Sequence, residues 1–95
     1  MTVIRINEEC HGFIGVAANL ESAQNYVIDS WLNGGTYIYT DNEEKTLEEA
    51  FGENWKEILK EMPFVVFEDL MNDQFWFYEE DLIGSDKNEE MDNSL

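Results

Sequence analysis

The sequence predicts an α+β domain, in which a small, mainly antiparallel sheet of about four strands carries helices packed on one face, in the order β-β-α-β-α-α-β. Three observations lead there. Short β-branched or aromatic runs recur at residues 3–6, 11–17, 36–40 and 74–78. Two stretches between them, opening at Asn19 and Thr46, carry apolar residues at helical spacing. Hydrophobic residues make up 43% of the 95-residue chain and aromatic residues 14%, enough for one modest core without staples.

Val3, Ile4 and Ile6 predict a first strand, ending at Asn7-Glu8-Glu9. His11-Gly12-Phe13-Ile14-Gly15-Val16-Ala17 predicts a second, joined to the first as an antiparallel hairpin around Glu8-Glu9-Cys10. Gly12 and Gly15 weaken a strand interior and point to a bulge or a close backbone approach nearby. Asn19 is a good N-cap. Leu20, Ala23, Val27 and Trp31, widened by Ile28 and Leu32, form the apolar stripe of a helix that Asn33-Gly34-Gly35 would close with a left-handed stop. Thr36-Tyr37-Ile38-Tyr39-Thr40 reads as a third strand.

Thr46-Leu47-Glu48-Glu49 is a capping box, in which the threonine hydroxyl and the glutamate three residues on satisfy each other's end of the first turn. The helix it opens is expected to run to Met62, with Gly52 as a point of kinking or breakage. Pro63 ends it and opens another short helix through Phe64, Val65, Val66, Phe67, Leu70 and Met71, with a strand over residues 64–68 as the competing reading. Gln74-Phe75-Trp76-Phe77-Tyr78 is the last strand, aromatic on both faces, so either both are covered or one is an interaction surface.

Charge is the most unusual property of the chain. Twenty-two Asp and Glu against five Lys and Arg give a formal net charge of −17. Small soluble domains need a magnitude of only roughly 2 to 8. Residues 1–83 are read as one acidic domain and residues 84–95 as a disordered acidic tail. Taking the tail's net −3 from the total leaves −14 on the body, so the folded surface itself is acidic. Such a surface repels nucleic acid and anionic membranes, and suits a basic protein or cations. The single cysteine, Cys10, cannot form an internal disulfide, and neither a signal peptide nor a long apolar segment is visible. A cytoplasmic protein is expected.

Glu49, Glu53, Glu57 and Glu61 recur every four residues. On one continuous helix they would line up at ~6 Å intervals over about 18 Å, partly offset by Lys56 and Lys60. The row reads either as the solvated side of an amphipathic helix or as a partner-binding face. Asp41, Glu43 and Glu44 precede it, and Glu79, Glu80 and Asp81 close the last strand beside Trp76 and Tyr78. Aromatics flanked by acids have the make-up of an interface hot spot within a charged rim.

Catalysis and metal binding find little support. Cys10 and His11 are the only residues of their types, and as strand neighbours they would point to opposite faces. No EF-hand loop, phosphate-binding glycine loop or nucleophile–base set accompanies the acids, so no catalytic residue, metal or cofactor is expected. The strand 11–17 leading into a helix, and the segment Phe51-Gly52-Glu53-Asn54-Trp55-Lys56-Glu57, resemble in character the small acidic single-domain proteins of phages and mobile elements, of the anti-restriction or anti-CRISPR type. That resemblance, one of size, charge and architecture, implies an inhibitor that occupies the basic nucleic-acid-binding surface of a nuclease or other defence protein as a DNA mimic. The alternative is an adaptor or immunity-type protein that recognises one basic partner through aromatics and acids.

Overall fold

β1 (Thr2–Glu8) is the centre of the larger sheet, flanked by β2 (Gly12–Ala17) and β5 (Phe75–Asp81), both antiparallel to it. The structure is a computed structural model and describes residues 2–81, so the tail expected at 84–95 lies outside the described residues. Between these strands run α1 (Leu20–Ser30), a hairpin of β3 (Tyr37–Thr40) and β4 (Glu43–Thr46), and three short helices, α2 (Leu47–Phe51), α3 (Trp55–Glu61) and α4 (Phe64–Leu70). The α+β class with a small antiparallel sheet is as expected. The count and order are not: the described residues hold five strands in two sheets, ordered β-β-α-β-β-α-α-α-β.

The additional strand is β4. Its sequence Glu43-Glu44-Lys45-Thr46 has weak β propensity, and what makes it a strand is the turn before it. Asp41 and Asn42 have φ of 54° and 63°, the left-handed pair of a two-residue hairpin turn that Asp and Asn tolerate better than most residues. Tyr37 thereby faces Thr46, and Tyr39 faces Glu44.

The single helix expected from Thr46 to Met62 is two helices. Its start is as read: Thr46 Oγ1 accepts from the Glu49 N–H at 3.1 Å, and Glu49 Oε1 accepts from the Thr46 N–H at 2.9 Å. Gly52 then adopts φ 83°, ψ −164°, a conformation a helix cannot pass through, and its N–H closes α2 on Glu48 O. α1 likewise stops at Ser30, before the glycines, and neither Gly34 nor Gly35 is left-handed. A Cβ at Gly34 would lie 2.7 Å from Cδ of the exposed Glu48, whose flexible side chain would have to move aside.

Alternation along β1 decides which side of the larger sheet is core. Ile4 and Ile6 point inward with Phe75 and Phe77, and pack with Ala23, Val27 and Ile28 of α1, Leu59 of α3 and Phe67 of α4. Ile38 brings the small hairpin into the same core, and Gln74 Nε2 donates to Tyr37 O at 2.6 Å to hold it. One polar side chain is buried there. Gln24 of α1 is 4% exposed, and its Nε2 donates to the carbonyls of Leu59 and Met62, tying α1 to the open end of α3. Val3 is 8% exposed but outside this cluster, because it points with Arg5 and Asn7 to the other side of the sheet.

Candidate functional site

The acidic residues singled out by spacing do not share one helix face. Glu49 lies on α2 with a carboxylate oxygen engaged in the capping box, and Glu53 lies in the connection after Gly52. Glu57 and Glu61 do stack at i and i+4 on α3, opposite the buried Leu59, so they point directly away from the core. Asp41, Glu43 and Glu44 belong to the β3–β4 hairpin and are exposed.

The lysines expected to offset the row turn elsewhere. Lys60 Nζ lies 2.8 Å from Asp29 Oδ1 of α1, and Lys56 Nζ lies 3.8 Å from the same oxygen. The hydrogen bond from Lys60, with the charge of both lysines, holds the Asp29 carboxyl below its ordinary range. Arg5 bonds to Glu80 at 3.1 Å and Lys45 approaches Glu43 at 3.5 Å. Each Lys and Arg among the described residues is thus paired with a carboxylate of the chain, and no such pair reaches Glu53, Glu57 or Glu61.

The aromatic strand divides by alternation. Phe75 and Phe77 enter the core, while Trp76 and Tyr78 lie opposite Asn7 and Arg5 on the outer side of the sheet. Glu80 shares that outer side, whereas Glu79 and Asp81 point to the helical side, where Glu79 borders a cleft with Leu20 and Asn19. The expected cluster of Trp76, Tyr78, Glu79, Glu80 and Asp81 is therefore split across the sheet.

Two residues not singled out by the sequence complete the outer side. Phe13 and Val16, three apart, would face opposite ways on a regular strand. The register shift between Ile6 and Asn7 leaves Ile14 as an extra residue, so that Phe13 pairs with Asn7 and Val16 with Arg5. Both consequently join Trp76 and Tyr78, and Phe13, Val16 and Tyr78 are 53%, 54% and 51% exposed. Arg5 occupies the middle, its guanidinium carbon 4.9 Å from the Phe13 ring centroid. The two glycines pointed to this bulge; which side chains it would re-aim depended on the register.

Cys10 and His11 lie in the β1–β2 turn rather than on the strand. Glu8 Oε1 accepts from the Cys10 and His11 N–H groups, both at 2.9 Å, and His11 Nδ1 lies 2.7 Å from the same oxygen. Burial raises the Glu8 carboxyl, but these hydrogen bonds and the His11 charge outweigh it and hold Glu8 below its ordinary value. The His11 ring also meets Trp31 edge-on at 5.2 Å.

Among the described residues, no group of three or more His, Cys, Asp or Glu side chains is arranged to hold a metal ion. No described helix is long and apolar enough to cross a membrane. The fold and surfaces define an acidic α+β domain with an open aromatic sheet face. Comparison of the chain with protein-family models, curated proteins and solved structures returns no match.

Proposed function

We propose that this protein is a non-catalytic binder of basic protein surfaces, acting as an inhibitor that occupies the nucleic-acid-binding groove of a nuclease or other defence protein. The observation that carries this reading is the use of the cations. Arg5, Lys45, Lys56 and Lys60 are each paired with a carboxylate of the chain, so among the described residues Glu53, Glu57 and Glu61 face outward with no cation opposing them. A surface of that kind attracts a basic groove over long range and releases the anions the groove carries. The break at Gly52 makes the mimicry one of scattered charge, since a continuous row like one strand of a duplex is not present.

Glu53→Lys/Glu57→Lys/Glu61→Lys tests it by titration against a purified basic nuclease that the protein inhibits. Affinity is expected to fall by roughly a hundredfold or more, the order seen for close interfacial charge pairs, and the wild-type interaction to weaken steeply with salt. Unchanged affinity in a folded triple variant overturns the assignment of these acids. The adaptor reading is favoured by one separate observation, the exposed Phe13, Val16 and Tyr78 on the outer side of the sheet.

A further inference from the structure

We propose that the outer side of the β2-β1-β5 sheet is a docking surface for an arginine-bearing segment of a basic protein. The proposal rests on the reading of the partner as basic, and assigns the contact to a surface away from the acids of α3. Glu57 and Glu61 point away from Leu59, and Trp76 and Tyr78 point away from Ile6, so the core lies between the two surfaces.

The helices pack on the other side of this sheet, through Ile4, Ile6, Phe75 and Phe77. Phe13, Val16 and Tyr78 stay about half exposed around Arg5 and Asn7, with Trp76 beside them. Large apolar side chains left half-exposed on one sheet face mark interaction sites, and Trp and Tyr dominate binding energy where they form an interface. The surface also displays the chemistry it offers. Arg5 is held over the Phe13 ring at 4.9 Å and bonded to Glu80 at 3.1 Å, a ring and a carboxylate cradling one guanidinium. Tyr78, opposite Arg5 in register, and Trp76 present further rings for a second guanidinium arriving from outside. A net charge of −17 draws such a cation in and opposes the other occupants: a second copy brings the same charge, and nucleic acid brings phosphates.

The probes are an arginine-rich peptide and a lysine-rich peptide of equal charge, titrated into labelled full-length protein and followed by amide and indole NMR. The arginine peptide is expected to shift Phe13, Val16, Trp76 and Tyr78, and to bind more tightly than the lysine peptide. Tyr78→Ala is expected to weaken it by roughly thirtyfold, about the value of a desolvated cation–π contact. Val16→Lys, at a half-exposed strand position and with folding checked by its amide spectrum, should repel it further. Arg5→Ser vacates the Phe13–Glu80 cradle and is expected to raise affinity for the arginine peptide more than for the lysine peptide, which loss of one charge alone would not do.

Shifts confined to α3 and the β3–β4 hairpin, with Tyr78→Ala unchanged, overturn the proposal while leaving the acidic reading standing. Failure of both peptides to bind anywhere overturns both. Concentration-dependent dimerisation abolished by Tyr78→Ala assigns the surface to a second copy, and tighter binding of single-stranded RNA than of peptide at these residues assigns it to nucleic acid; either result overturns the proposal.

Discussion

At the residue scale, two polar side chains organise parts of the fold that apolar packing alone leaves undetermined. Gln24 satisfies the carbonyls of Leu59 and Met62 from inside the core, and both are lost in Gln24→Met, which keeps nearly the same volume. The expected cost is roughly 1–3 kcal/mol, the penalty for stranding buried acceptors, measured by urea unfolding. Glu8 does the equivalent for the β1–β2 turn, gathering two backbone N–H groups and the His11 ring onto one oxygen. Its carboxyl is depressed, so the stability it contributes is present above the ordinary glutamate value of ~4.3 and is lost as pH falls from there through its lower folded value. Glu8→Gln should therefore be less stable than the wild type at neutral pH, with the gap closing in acid. A gap that stays constant on acidification would remove the ionised Glu8 from the account.

At the element scale, the two helices α2 and α3 hinge on Gly52, whose φ of 83° with ψ of −164° is open almost only to glycine. A Cβ there meets nothing within 4 Å, so the cost of Gly52→Ala is all backbone strain, expected at about 1–3 kcal/mol in equilibrium unfolding. An unchanged or raised stability would mean that α2 and α3 merge without penalty. The elements legible in the sequence are those whose signals are local and chemical. Asn19 caps α1 by accepting from the Ser22 N–H, the capping box at Thr46 forms as written, and the aromatic strand is a strand. The less legible ones depend on partners. β4 has the composition of an acidic loop and becomes a strand because Asp41 and Asn42 fold it back onto β3. The four-residue spacing of glutamates looked like one helix face because spacing is blind to the φ of a single glycine. Phe13 and Val16 were invisible as a pair because only the β1–β2 register turns them to one side.

For the whole molecule, the decisive property is where the charges are spent. Composition makes an acidic surface unavoidable, and spacing along the chain puts Lys56 and Lys60 among the glutamates they follow. The fold instead sends both across to Asp29, where they clamp α3 to α1 and leave Glu57 and Glu61 unopposed among the described residues. The lysines thus act twice, adding a surface tie between helices and withdrawing cations from the outward side of α3. The affinity of the acidic surface for a basic groove is consequently expected to be far more salt-sensitive than that of the aromatic sheet side, whose contacts are short-range. Binding measured across a salt series, with the triple lysine variant and Tyr78→Ala side by side, separates the two contributions. Parallel salt dependence in both variants would show that the two surfaces are not independent.

Thr2 pairs with Asp81, so the first and last strands described are neighbours across the whole sheet. Until β5 has been made, Ile4 and Ile6 have β2 beside them and α1 to pack against but lack Phe75 and Phe77, and one edge of β1 is unpaired. The larger sheet is therefore completed only when the last described strand joins it. Closing so long a loop adds only slowly to the entropic cost, but it delays the contacts that reward it. Only four of the twenty-two carboxylates precede Asp41, so the waiting β1–β2 hairpin carries little of the charge that dominates the finished surface.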